Sequence, residues 1–245
     1  MNAPVRILLI GAAGRMGQAI SQAAESRKDV VIAARCDLGD AIEQAIDGCD
    51  VAIDFSHAGA TEQNCAACLT SGKPLVIGTT GQSSEQRRVI DKTAESIPVL
   101  QAANFSIGVN TLFWLTRKTA EMLGDGFDLE VVETHHRLKK DAPSGTAKRL
   151  AQILGEVRGL NEKNFAHGRE GLIGERPPNE IGIHSIRAGD VVGDHTVIFA
   201  TSGERLELTH KASSRETFAV GALRAAQWII GKPAQLYSME DVLGL

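Results

Sequence analysis

The largely apolar run Val5–Ile10 leads without a spacer into Gly11-Ala-Ala-Gly14-Arg-Met-Gly17. No other feature constrains the fold of the chain as much. A strand that turns on glycines straight into a helix places the helix N-terminus, with its free N–H groups and positive dipole end, at the carboxyl edge of a sheet. Glycine allows the tight turn and a close approach of backbone to a diphosphate. The spacing departs from the commonest Gly-x-Gly-x-x-Gly pattern, because Ala13 stands where a glycine is usual. On its own the motif also fits a plain glycine-rich turn.

The surrounding pattern supports the ligand-binding reading. Short apolar runs at Val30–Arg35, Val51–Phe55, Leu75–Gly78 and Val99–Ala102 predict strands. Helices are predicted over Met16–Glu25, Ala41–Ile46, Thr61–Thr70 and Ser84–Ser96. Continuous apolar runs, rather than alternating ones, mark strands buried on both faces. Alternation with helices then implies a doubly wound parallel sheet of Rossmann-like type. Ligands bind at the carboxyl ends of such strands. Asp37, about 20 residues beyond the glycines, stands where a carboxylate takes adenosine ribose hydroxyls. Gly78-Thr79-Thr80-Gly81 and Gln101-Ala102-Ala103-Asn104-Phe105 follow the fourth and fifth strands, and the first of these loops is placed to line the nicotinamide side. Arg15 is either a phosphate ligand or a solvated surface arginine. Asp37 disfavours a 2′-phosphate and tips the balance to NADH, while Arg35 two residues earlier keeps NADPH open.

After residue 105 the pattern changes. A helix over Val109–Leu123 precedes a β-branched strand, Leu129–Thr134, and then His135-His136-Arg-Leu-Lys139-Lys-Asp141-Ala-Pro143-Ser144-Gly145-Thr146, where a second helix starts and runs to Val157. Strands follow at Glu180–Arg187, Thr196–Thr201 and Leu206–His210, at hairpin-like separations with turns at Gly189-Asp190 and Gly203-Glu204. This describes an α+β substrate and oligomerisation domain with an open mixed sheet. Residues 159–180 read as a loop and a candidate subunit contact. The helix over Phe218–Ile230 is expected to pack back on the first domain. The predicted division is 1–106 with 216–245, and 107–215.

Taken singly, adjacent histidines after a strand make a solvated turn, and Lys139-Lys140 is a basic surface. Taken together with Pro-Ser-Gly-Thr they form a site. Imidazoles exchange protons near neutral pH, lysine supplies charge or a proton, and a helix start at Gly145–Thr146 offers N–H groups to an anion. The expected substrate is small and carboxylated. Glu133 either orients a histidine or pairs with a lysine, and Asp141 caps the turn before the helix. Arg215 reaches substrate or serves a hinge, and His57, His167, His184 and His195 are read as structural or surface residues.

A net charge of −4 gives no general attraction to nucleic acid or anionic membrane. No apolar run approaches the ~20 residues of a membrane span, and with four residues before the first strand there is no room for a signal peptide, so a cytoplasmic location is expected. The four cysteines include Cys65-Ala-Ala-Cys68, which has redox or metal spacing but sits inside a helical pattern with no second pair. They are read as buried packing residues, and no metal is expected.

With both motifs in view, the chain resembles the 4-hydroxy-tetrahydrodipicolinate reductase (dihydrodipicolinate reductase) family of lysine and diaminopimelate biosynthesis, over essentially its whole length. The resemblance rests on Glu130-Val-Val-Glu133-Thr-His135-His136-x-x-Lys139-x-Asp141-x-Pro143-Ser144-Gly145-Thr146. It extends to Gly78-Thr-Thr-Gly, to Ala102-Ala-Asn-Phe-Ser-Ile-Gly-Val-Asn110 and to His210-Lys-Ala-Ser-Ser-Arg215. It implies a homotetrameric oxidoreductase whose two domains close over NADH or NADPH and a cyclic imine dicarboxylate. Reduction with loss of the 4-hydroxyl as water then gives tetrahydrodipicolinate. The resemblance implies His135 as acid/base residue and Lys139 as proton donor, with His136, Gly145 and Thr146 binding substrate. It implies Gly11, Ala12, Ala13, Gly14, Arg15, Met16, Asp37, Gly78, Thr79, Thr80, Ala102, Ala103, Asn104 and Phe105 as the cofactor contacts. In one departure, many relatives carry an arginine after the acidic ribose residue, where this chain has Leu38. A non-catalytic dinucleotide-binding regulator is the competing class, and it leaves the histidine–lysine cluster unexplained.

Overall fold

The computed structural model describes residues 3–245. The chain forms two compact units, one holding residues up to Ile107 together with Arg215–Leu245, the other Gly108–Ser214.

The first unit begins β1 (Val5–Ile10), α1 (Arg15–Glu25), β2 (Val30–Cys36), α2 (Ile42–Ala45), β3 (Val51–Asp54), α3 (Thr61–Ser71), β4 (Leu75–Ile77), α4 (Ser84–Ala94) and β5 (Pro98–Gln101). The long helix α5 (Ile107–Leu123) leads into the second unit. That unit continues β6 (Asp128–His135), α6 (Gly145–Arg158), β7 (Phe165–His167), β8 (Ile181–Arg187), β9 (Gly193–Thr201) and β10 (Glu204–Ala212). Helix α7 (Glu216–Ile229), β11 (Gln235–Tyr237) and α8 (Met239–Leu243) complete the first unit.

The sheet of the first unit runs β11-β5-β4-β3-β1-β2 with every pair parallel. Strand β1 shows why it is doubly wound. Ile7 and Leu9 join one buried cluster with Val51, Ile53 and the alanines of α7, while Leu8 and Ile10 join a second cluster with Ala52, Cys65 and Cys68. Strand residues alternate faces, so an apolar run feeds two cores at once. Helix α7 packs on this sheet as expected, through Ala219, Ala222, Ala225 and Ala226. The small β11 and α8 lie outside the predicted elements. A three-residue strand carries too little pattern to read, and here pairing with β5 decides it.

The sheet of the second unit runs β10-β9-β6-β8-β7, with antiparallel pairs β10/β9 and β9/β6 and parallel pairs β6/β8 and β8/β7. Strands β9 and β10 form the expected hairpin, but β8 and β9 do not, because β6 lies between them. Residues 159–180 are also not simply a loop, since β7 pairs along β8 from Phe165 to His167. One sheet face is dry: Leu129, Val131, Ile183, Val197 and Phe199 pack on Ala147, Leu150, Ala151 and Leu154 of α6. On the other face Glu130 accepts hydrogen bonds from Arg169, Arg176 and His184.

Candidate active site

In the first unit the glycine turn is dictated by contact. Gly11 has φ +81°, and a Cβ there would come within 2.6 Å of the Phe55 carbonyl oxygen. A Cβ on Gly17 would come within 2.3 Å of the Gly11 carbonyl oxygen and 2.5 Å of that of Ala12. Helix α1 therefore sits directly on its own turn, and Gly14 caps it without any side-chain hydrogen bond. Ala13, Gly14 and Arg15 are exposed beside the uncapped helix end, Ala12 is buried and Met16 is half-buried. This cradle, which any Cβ on Gly11 or Gly17 would fill, fits a dinucleotide diphosphate.

Asp37 reaches the same turn, its two carboxylate oxygens accepting the Ala13 N–H at 3.0 and 3.1 Å. Arg35 instead lines a groove of about 250 Å³ with Ser21, Glu25, Arg27 and Val31, to which Asp37 does not contribute. Of the two residues weighed for the ribose, Asp37 is the one at the glycine turn. Of the second loop, Gly78 lies against the Phe55 ring, and Thr80 is exposed. Thr79 turns inward and donates its hydroxyl to Asp54 Oδ1 at 3.0 Å. Ala102 and Asn104 are half-buried and Ala103 is exposed, whereas the Phe105 ring is buried 5.4 Å from that of Phe55. The Phe105 carbonyl in turn lies against Gly221. Asp54 and Phe55, which shape both loops, were not marked by any sequence motif. The close approach of two distant glycines to one aromatic residue becomes visible only in three dimensions.

In the second unit β6 presents Glu133 and His135 on its dry face, two residues apart. Glu133 is fully buried. Its carboxylate shares a hydrogen bond with His135 Nδ1 and accepts two parallel bonds from Arg187 at 2.9 Å each and the Ser144 backbone N–H at 3.2 Å. Burial alone would raise the Glu133 pKa, but the hydrogen bonds from Arg187, His135 and Ser185 together hold it below the usual carboxylate value. Burial lowers the His135 pKa, and Glu133 offsets part of that shift. Glu133 thus bonds both a histidine and an arginine, and its charged partner is Arg187 rather than a lysine.

Lys139 closes a turn with His136 (N–H to carbonyl, 3.1 Å), and its ammonium bonds both Asp141 oxygens at 2.9 and 3.0 Å. Asp141 therefore pairs with Lys139, and the cap of α6 is Ser144, whose Oγ accepts the Ala147 N–H at 3.1 Å. Gly145 is exposed with open space around its Cα, and Thr146 is half-buried beside it at the start of a 14-residue helix. Nδ1 of the half-buried His136 is shielded from solvent and has no hydrogen-bond partner among the described residues. His135, His136, Lys139, Gly145 and Thr146 all lie on the end of β6, the β6–α6 connection and the first turn of α6.

His195, read from sequence as a structural or surface residue, belongs to this cluster. It is buried with its ring edge-on to His135 at 5.1 Å between centroids, and its Nε2 shares a 3.0 Å hydrogen bond with Ser144 Oγ. Burial pushes its pKa down to about 3. Gly193, on the same strand, faces His135 Nε2 so closely that a Cβ would come within 3.0 Å. Neither residue has a local signature, because both arrive on β9, some sixty residues along the chain from His135. Arg215 stands exposed at the start of α7 in the first unit. All four cysteines are free and buried, and burial raises each thiol pKa. Among the described residues there is no group of three or more side chains suited to a metal ion and no helix long and apolar enough to cross a membrane.

A parallel α/β unit with a glycine cradle, and a second unit carrying an oriented histidine and a lysine, define the class of dinucleotide-dependent reductases. Within that class the chain belongs to the dihydrodipicolinate reductase family, whose N-terminal model matches residues 5–105 and whose C-terminal model matches residues 108–243. It is 56% identical over 242 residues to the 4-hydroxy-tetrahydrodipicolinate reductase of Akkermansia muciniphila, covering 98% of each chain. It is 46% identical over 264 residues to that of Hahella chejuensis, covering 98% and 99%. A dipicolinate-bound dihydrodipicolinate reductase from Paenisporosarcina sp. TG-14 superimposes with a TM-score of 0.76 at 26% identity, over 96% and 97% of the two chains.

Proposed function

We propose that this chain reduces 4-hydroxy-tetrahydrodipicolinate to tetrahydrodipicolinate, with loss of the 4-hydroxyl as water, in lysine and diaminopimelate biosynthesis in the cytoplasm. The observation that carries the reading is the buried Glu133–His135 pair beside Lys139 and the α6 N-terminus. A bound NADH or NADPH supplies the hydride. Gly11 to Met16 cradle its diphosphate, and Asp37 takes the adenosine ribose, favouring NADH. Gly78 to Thr80 and Ala102 to Phe105, largely through backbone, line the rest of the cofactor.

The substrate is a dicarboxylate, so its site must hold two negative charges. Lys139, His136 and the N–H groups at Gly145–Thr146 suit a carboxylate, since helix dipole and ammonium act together on one anion. Once water has left, the hydride delivered to the conjugated imine must be matched by one proton. His135 exchanges it through Nε2, the ring nitrogen left free by Glu133, and Lys139 is the donor within the same loop. We further propose a homotetramer built on the second unit. Ile186 on the open sheet face and Leu172 and Ile173 in the 168–180 segment are exposed apolar side chains that a neighbouring copy would cover.

The test is steady-state oxidation of NADH and NADPH with enzymatically generated 4-hydroxy-tetrahydrodipicolinate. Substrate-dependent loss of nicotinamide absorbance, faster with NADH, is expected. No oxidation by protein that binds either cofactor would overturn the assignment.

A further inference from the structure

The buried Glu133 carboxylate is held at once by His135, Arg187 and the Ser144 backbone N–H. Arg187, which enters on β8 directly opposite His135 in the strand register, grips both its oxygens and also donates to the Asp141 carbonyl at 2.7 Å. One guanidinium therefore ties the carboxylate beside the imidazole to the turn that carries Lys139. We propose that Glu133 and Arg187 are positioning residues that hold the His135 ring in its Nδ1–H tautomer, leaving Nε2 as the atom that exchanges the proton.

The argument is one of donors and acceptors. A carboxylate bonded to a guanidinium fork and a backbone N–H stays ionised, and an ionised carboxylate only accepts. Nδ1, bonded to it, must carry the hydrogen. Nε2 has no protein hydrogen-bond partner among the described residues and lies against Gly193, where any side chain would cover it. The charged and titratable groups around the ring are Glu133 on its own strand, Arg187 from β8, Lys139 from the following turn and His195 from β9. His195 is buried and neutral, so it acts as a wall. Glu133 is then the one negative charge among them, set against two cations.

The proposal rests on the acid/base reading of His135, and the test separates the two. The 15N shifts of the His135 ring, kcat and KM across pH, and NADH binding are measured for the wild type, E133Q, E133D and R187K. The wild type is expected to show the Nδ1–H tautomer. E133Q should mix tautomers and lose on the order of 10²–10⁴-fold in kcat, with KM and NADH binding little changed. Without the carboxylate charge, the limb of the pH profile that reports His135 should move to lower pH, and E133D should restore most of it. A folded E133Q with the wild-type tautomer, an unmoved pH limb or a loss confined to KM would overturn the proposal. Should E133Q not fold, R187K decides: the charge without the fork should cost more than about tenfold in kcat and loosen the tautomer, and wild-type behaviour in both would overturn the proposal. Full activity in H135Q would overturn the catalytic reading instead, while the ring shifts still decide the clamp.

Discussion

The glycine turn of the first unit and the histidine cluster of the second are built from different parts of the polypeptide. Between Gly11 and Gly17 the surface is backbone, because Gly11 and Gly17 have no room for a Cβ. Around Glu133 it is a set of side chains from β6, β8, β9 and the start of α6, in which hydrogen bonds keep Glu133 ionised against its burial and burial keeps His195 neutral. The cradle's turn and helix start are contiguous in sequence, and only Asp37 and Phe55 reach it from elsewhere. A charge cluster is assembled from distant strands and responds to protons. That contrast predicts what each region should tolerate.

The largest effects should come from the cluster and leave the cradle intact. H135Q and K139M are each expected to lower kcat by about 10²–10⁴-fold with NADH affinity preserved in a direct titration. Loss of NADH binding in either variant would break the separation between the regions.

Next is the converse, a steric test of the cradle. In Gly17→Val the new side chain meets the Gly11 and Ala12 backbone, so thermal unfolding should report a loss of about 1–3 kcal/mol together with weakened NADH binding. Gly145→Ala meets nothing, and stability should hold or rise by up to ~1 kcal/mol.

The third effect is acid sensitivity. Burial keeps His195 neutral with a pKa of about 3, against an ordinary 6.5. Between those values the unfolded chain binds the extra proton. Stability should therefore fall as pH drops below 6.5, by about 1.4 kcal/mol per pH unit from this residue. Glu130, held at about 2 by Arg169, His184 and Arg176 against the burial that opposes them, adds stability above its ordinary 4.5 that is lost as pH falls towards 2. Urea midpoints across pH should show a shallower slope in H195N between pH 6.5 and 3. An unchanged slope would mean that His195 titrates normally in the folded protein.

The smallest effect tunes the cradle's selectivity. L38R, adding a cation beside Asp37, should improve kcat/KM for NADPH over NADH by about tenfold, or ~1.4 kcal/mol. No change would mean that position 38 does not face the ribose.

The legibility of the two regions follows the same contrast. The glycine turn could be read because turn, helix start and strand are contiguous. The β6–α6 segment could be read because its histidines, lysine and helix cap are close in sequence. Glu133 was visible but ambiguous, since Arg187 is 54 residues away. The place of His195 beside His135 has no local signature for the same reason, and the expected β8–β9 hairpin does not form because β6, earlier in the chain, inserts between them.

The sequence by itself determined the strand–helix alternation and the two-faced burial of the parallel sheet, and it marked residues whose chemistry suits a phosphate or a proton, because these depend on local periodicity and side-chain chemistry. Tertiary structure alone decided which strand lies beside β6, and so which arginine ionises Glu133, which nitrogen of His135 is free and which histidine stays neutral. Those outcomes depend on the register of strands far apart in sequence and on the desolvation that their packing imposes.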